Sequence, residues 1–561
     1  MSSDEREDRG LSRRGMLGTG AAAIAGVGLS ATPASGAIAG HAAAPAGGGP
    51  APGAPGGDLA LVGGKILTQD ERNSTATDVL ITDGRIAEVG RGLRVRGSGV
   101  KVIDLKGRTV IPGIIDCHNH IVLMGLRPGY HTPLENAASI AEALATLKAR
   151  AARVPAGRFV TTIGGFHSNQ FAERRLPTLA EIDAAVPDHP VYLQIAFSGP
   201  ATTNGLGRSF FQSKGVSVGD DGAIAIGEAT QTALFHLRQG QTLEDQKRST
   251  LDAMAYAVSL GVTTHFDQGG FPATNTPADG AAHFDQYRAY DAFQALHHEG
   301  RLSIRLRNHF LHLESDPNLP GLTARLLNTF PLFGDDMWKV IGIGEFTANG
   351  LGDVWLDANH RVAQAGFINQ VHSLTRDDFK TEIAGWETVN AKFPITDLRW
   401  VVAHVPFITA EWLQRLKALG GAVNVTSWKY FSGTATDNGP PFRTIVDSGI
   451  QVGMSSDGMQ IAPMNPWLHM YYAVTGKNAK GELINDGQQI TRDEVMRLYT
   501  AANGWFTKEE DITGTIEPGK YGDLVVLNHD YRTLPDEGLK TLRSVLTVVN
   551  GQIVHQAAPF R

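Results

Sequence analysis

The sequence predicts an α/β protein: a (β/α)8 TIM barrel with a small β-sandwich domain formed from both chain ends and an insertion after barrel strand 1. Three observations predict it. About eight short β-branched runs alternate with helical stretches. Several of those runs end on histidine or aspartate. The two chain ends carry matching sets of short β segments, each too small to bury a core alone.

The runs lie at 113–120, 261–267, 302–308, 338–346, 368–372, 399–404, 421–426 and 451–457, with helical stretches such as 380–390 and 411–419 between them. The gap from 120 to 261 is too long for one crossover and holds extra β-like segments at 159–165 and 191–196. An insertion over about residues 125–255 accounts for it, and it would shape the pocket. An open doubly wound sheet is the alternative. It gives no reason for metal-type side chains to recur at so many run ends.

At the N-terminal side, 59–62 and 64–68 lead in, and 79–82 meets the hairpin signal Asp83-Gly84 before 85–87. At the C-terminal side, 523–527 is one strand, and 546–549 turns at Asn550-Gly551 into 552–554. Pairing of residues 58–113 with 510–561 gives one composite β domain around a barrel spanning 114–509.

Composition bounds the function. The chain has 561 residues, 42% hydrophobic and 19% charged, with a net charge of -7. No Lys/Arg stripe exists, so a nucleic-acid partner is not expected. The single cysteine, Cys117, excludes an intrachain disulfide. The first 39 residues differ in character. Arg13-Arg14 precede an apolar small-residue run, 18–29, and a cleavage-like Ala37-Ile38-Ala39. This order resembles a twin-arginine export signal, which implies the twin-arginine machinery as a partner and a periplasmic or extracellular location. A disordered tail with a chance Arg-Arg is the other reading. The apolar run is too short to span a bilayer, so no stable membrane anchor is expected. Residues 40–57 read as a Pro/Gly linker.

The strongest local motif is Asp116-Cys117-His118-Asn119-His120, after the apolar run 111–115. On a strand, His118 and His120 share a face, and two imidazoles there make half of a zinc-type site. His372 ends one run, His404 the next but 32 residues on, and Asp457 another. At the carboxyl ends of barrel strands these five side chains converge on the face where active sites lie. Cys117 points away from His118 and is expected to be a small buried filler. His167, His265, Trp428 and Tyr430 lie in segments that could contact substrate or simply pack.

On these residues the chain resembles the metal-dependent amidohydrolase superfamily. The approach Thr109-Val110-Ile111-Pro112-Gly113 and the closing stretch from Gly514-Thr515-Ile516-Glu517-Pro518-Gly519 to Leu527 are similar to the family's. Within the long insertion, the 176–183 segment and Gly261-Val262-Thr263-Thr264 resemble the branch containing N-substituted formamide deformylase.

The resemblance implies one or two divalent metals, zinc in expectation. His118, His120 and Asp457 would hold one. His372 and His404 would hold a second, or one of them would orient substrate. Asp457 would serve as general base and then acid on a metal-activated water. Many relatives bridge two metals with a carboxylated lysine on strand 4, and Lys339 stands in the matching place. The turn after it is Gly-Glu-Phe rather than the family's more usual Asp-Gly. Glu345 is therefore the alternative metal ligand or substrate contact.

The expected reaction is hydrolysis of a C-N bond in a small amide, formamide or cyclic amide. Deamination, ester or lactone hydrolysis at the same site, or a non-catalytic exported binding protein, are the alternatives. The substrate is a small molecule, and a homo-oligomer is compatible with the sequence.

Overall fold

The structure is a computed structural model that describes residues 57–95, 99–196, 198–269 and 289–561. The segments read as export signal and linker lie outside the described residues, apart from Gly57. Among the described residues no helix is long and apolar enough to cross a membrane.

Eight parallel strands form one sheet in chain order: β1 (Ile114–Asn119), β2 (Val262–Asp267), β3 (Arg305–Phe310), β4 (Trp338–Glu345), β5 (Ile368–Ser373), β6 (Val401–His404), β7 (Ala422–Thr426) and β8 (Gln451–Ser455). Nearly every residue in them is buried, as strands covered on both faces require. Polar contacts close the sheet between β8 and β1. Asn503 Nδ2 donates to Ile115 O at 2.6 Å and to Met454 O at 3.0 Å, and Asp457 N donates to His118 O at 2.8 Å. The result is a TIM-type barrel. Its strands match the sequence-derived runs, except that β3 begins three residues later than expected.

Helices flank the barrel, and local signals fix their ends. Leu243–Leu260 begins with a capping box in which Thr242 accepts from Asp245 N and Asp245 accepts from Thr242 N. It ends at Gly261, whose φ of +92° turns the chain straight into β2. This helix packs its Ala253, Met254, Ala257 and Val258 into the main core. It is therefore the barrel's own helix before β2, and the inserted unit is shorter than the expected 125–255.

That unit carries a five-stranded sheet ordered 223–224, 201–203, 191–194, 160–163, 130–131. Neighbouring residues of its strands feed separate cores: Leu193 packs with Leu134 and Phe171, while Tyr192 packs with Phe211 and Ile224. Alternation along a strand puts them on opposite faces. Helices thus cover both sides of this sheet.

The chain ends also meet. In a six-stranded sheet, Thr109–Pro112 pairs antiparallel with Leu524–Leu527, which pairs with Ser544–Val549. A four-stranded sheet, 85–90, 78–82, 59–62 and 101–104, shares a hydrophobic core with it through Leu59, Ile81, Val110 and Val526. Arg305 on β3 ties the barrel to this unit with two buried bonds to Asp523, at 2.7 and 3.0 Å.

Candidate metal centre and active site

Six side chains from β1, β4, β5, β6 and the residues just after β1 and β8 meet at the carboxyl mouth of the barrel. Glu345, the last residue of β4, stands at the middle. Its Oε2 lies 3.0 Å from His118 Nε2, 3.0 Å from His372 Nδ1 and 3.3 Å from His404 Nε2. Its Oε1 lies 3.5 Å from His120 Nε2. Asp457 Oδ1 lies 3.3 Å from His120 Nε2 and 3.8 Å from His118 Nε2. The donor atoms of His118, His120 and Asp457 all fall within 4.8 Å of one another, as do those of His118, Glu345 and His404.

Burial makes this cluster demanding. His118, His120, Glu345, His404 and Asp457 are all buried, and His372 alone is partly open, its side chain 18% exposed. Phe346 stacks against His372 at 5.1 Å. Among the described residues His118 Nδ1 has no partner, and its Nε2 faces Glu345 off the line of a hydrogen bond. A buried imidazole with both nitrogens unbonded is costly unless a cation takes a lone pair. Imidazoles and carboxylates at this spacing are the donor set of a zinc-type site. The residues present fit a divalent cation.

Neighbours aim these donors. His120 Nδ1 lies 2.8 Å from Gly269 O, which leaves Nε2 to face the carboxylates. His404 Nδ1 lies 2.9 Å from Thr426 Oγ1. Asp116 Oδ1 accepts from Ser456 N at 2.9 Å and Oδ2 accepts from Ser456 Oγ, so the start of the DxHxH motif grips the residue before Asp457.

The charges are mutually dependent. Burial alone would raise the Glu345 carboxyl, but the charge of His372 and the contacts of His118 and His120 hold it well below the ordinary range. Asp457 is lowered likewise, against burial, by His120 and by the charges of His404 and His118. Burial pushes His404 down to about 4.

Lys339 is a correction. It does not reach this site. Its Nζ lies 2.6 Å from Glu509 Oε1, beside the Arg307–Glu509 pair. Lys339 is the second residue of β4 and Glu345 the last, so they stand about 20 Å apart along the strand. The lysine belongs to the opposite end of the barrel. The carboxylate, named as the alternative, holds the central place.

The four residues suggested for substrate contact separate. His265 is buried, with Nδ1 2.6 Å from Asn119 Nδ2, and burial lowers it to about 3. Tyr430 is buried, edge-on to Tyr471 at 6.4 Å. Both side chains are buried in this structure. His167 caps a short turn through Nδ1 and stacks on Phe431, with ring centroids 6.5 Å apart. Trp428 follows β7 and carries Lys429 Nζ 4.0 Å above its ring. Cys117 is buried, its Sγ 3.3 Å from Met454 O.

Sequence reasoning missed Gln268 and His309, bonded to each other at 3.2 Å where β2 and β3 end. Burial, with His118 nearby, lowers His309 to about 3. Its place after Asn308 at a run's end was the available signal.

The chain is 24% identical over 550 residues to N-substituted formamide deformylase of Arthrobacter pascens, covering 89% of this chain and 98% of that one. Among solved structures it resembles an uncharacterized metal-dependent hydrolase from Pyrococcus horikoshii, with TM-score 0.58 and 19% identity, covering 86% of this chain and 99% of that one. It also resembles the zinc-complexed atrazine chlorohydrolase of Arthrobacter aurescens, with TM-score 0.53 and 15% identity, covering 89% and 95%. At such identities the solved structures speak for the fold. The model of the amidohydrolase family matches residues 101–555. That span contains the whole barrel and all six converging side chains, and the chain belongs to the amidohydrolase family of metal-dependent hydrolases.

Proposed function

We propose that the protein hydrolyses a C-N bond of a small amide, formamide or cyclic amide, with Asp457 carrying the proton. The observation behind this is the placement of the Asp457 carboxylate, buried and ionised, 3.3 Å from His120 at the barrel mouth. His118, His120 and Asp457 would hold one cation, zinc in our reading. Glu345, with His372 and His404, would share it or hold a second. When bound, such a cation lowers the pKa of water toward about 7 and polarises a carbonyl.

The chain's own groups do the rest. Asp457 accepts a proton from the attacking water and returns it to the departing nitrogen. The balance is one water and one amide giving one carboxylic acid group and one amine (or, from an imide, amide) group, both on the same product when the amide is cyclic. Partly open His372 and Phe346 border the entry and orient the substrate.

Two further readings belong with this proposal. Residues 58–113 and 510–561 act as one composite β-sandwich domain, supported by their shared sheet and core. Export through the twin-arginine machinery is supported by the order of Arg13-Arg14, apolar run and small residues.

A panel of N-substituted formamides, simple amides and cyclic amides, run on metal-loaded protein, tests the reading. Release of amine from at least one class is expected. Absence of turnover across all three, with metal bound, would overturn it.

A further inference from the structure

Arg127 is buried, only 4% exposed, yet it is a cation that the proposed reaction does not use. It directly follows Ile121–Leu126, the short helix after His120. Its guanidinium forks. Nη2 donates to Met459 O, and Nη1 lies 3.2 Å from His131 Nε2. Burial, with the charges of Arg127 and Arg150, keeps His131 well below its ordinary pKa and so neutral, fit to accept from Arg127. Lysine has no such fork.

Met459 lies two residues beyond Asp457, in a segment held on several sides. Gly458 O accepts from His120 N at 3.0 Å, and Gln460 O accepts from Gly165 N at 3.0 Å. Glu135 Oε2 accepts from Met464 N at 2.6 Å. The inserted unit presses close. A Cβ at Gly164 would stand 2.6 Å from Met459 O, and one at Gly165 2.6 Å from Met459 Cε. Both glycines have positive φ, +68° and +72°. Asp457 itself sits at φ +55°, a backbone state that must be held from outside.

We propose that Arg127 is a positioning residue for Asp457: by fixing the Met459 carbonyl it locks the segment that aims the Asp457 carboxylate at the cation. The inserted unit thereby takes part in building the metal centre rather than only covering it. This rests on the reading of Asp457 as a cation-holding residue.

The test measures zinc release from the zinc-loaded, full-length protein to a chromogenic chelator, beside thermal melting. Arg127→Met is expected to release zinc about tenfold faster than the parent, a barrier to release lowered by about 1.4 kcal/mol. Arg127→Lys, which keeps the charge and is the variant expected to fold, should fall between. Phe171→Leu, in the core of the inserted unit, should lower the melting temperature without speeding release. Parent-like release from both Arg127 variants would overturn the proposal while leaving the site reading intact. Equally fast release from Phe171→Leu would overturn it too, by reducing Arg127 to general stability. A parent protein that takes up no zinc would overturn the site reading and this proposal together.

Discussion

Glu345 Oε2 lies 3.0 Å from His118 Nε2, so a carboxylate from β4 meets the histidine of β1 across the barrel mouth. This contact decides which end of β4 serves the chemistry. The other Glu345 oxygen, Oε1, lies 3.5 Å from His120 Nε2, so the two oxygens face different imidazoles.

Asp457→Asn is expected to lower kcat by about 10²- to 10⁴-fold, the usual worth of a positioned general base. Asparagine tolerates the positive φ of this residue, so the fold should survive. Circular dichroism and steady-state amine release check both halves. Wild-type kcat in the variant would remove Asp457 from proton transfer.

Lys339→Ala and Glu345→Gln should behave oppositely. Loss of the Lys339–Glu509 contact costs about 1–2 kcal/mol of stability, and metal content stays at the wild-type level. Glu345→Gln should lose metal, because an amide at the centre offers no negative charge to four imidazoles. Elemental analysis with melting curves separates them. Metal loss from Lys339→Ala would restore the lysine to the site.

Glu509 gives a pH signature away from the metal centre. Burial alone would raise its pKa, but the charge and hydrogen bond of Arg307, and then Lys339, pull it down to about 2. A depressed pKa means the folded state favours the carboxylate. Its contribution is complete above the ordinary value of 4.5 and fades as pH falls from there toward 2. Glu509→Gln should therefore cost about 3 kcal/mol at pH 7, and the gap to the parent should narrow below pH 4.5. Melting temperatures of both proteins between pH 3 and 7 show it; a constant gap would refute the assignment.

Asp523→Ala should cost about 3–5 kcal/mol, because it leaves Arg305 charged and buried. This pair joins β3 to the terminal sheets. Urea unfolding reads the loss, and a change under 1 kcal/mol would show that the junction is held by packing alone.

Much of this architecture was legible. Parallel strands buried on both faces read as short apolar runs, and a polar residue at each run's end marks the mouth of the barrel. His118, His120, His372, His404 and Asp457 could be picked out for that reason. Lys339 and Glu345 were a different case. Chain order already put Glu345 nearer the carboxyl end of the run, which is why it stood as the alternative; the resemblance to the family, not the strand geometry, put Lys339 first. The partner that holds Lys339 is Glu509, 170 residues away. Asp116 and Ser456 were equally hidden, since their bond joins residues 340 apart and no local pattern marks it. The insertion over about 125–255 was inferred from the length of the gap between runs, and that length could not show that helix Leu243–Leu260 faces the barrel core, a relationship set by packing.

Anomalous diffraction from crystals of the protein purified without chelator, collected at the absorption edge of whatever metal elemental analysis finds, tests the account most directly. A peak within bonding distance of His118, His120 and Asp457 is the expected result, with Glu345 against it. A metal peak elsewhere, or a metal-free protein that still turns over substrate, would contradict it.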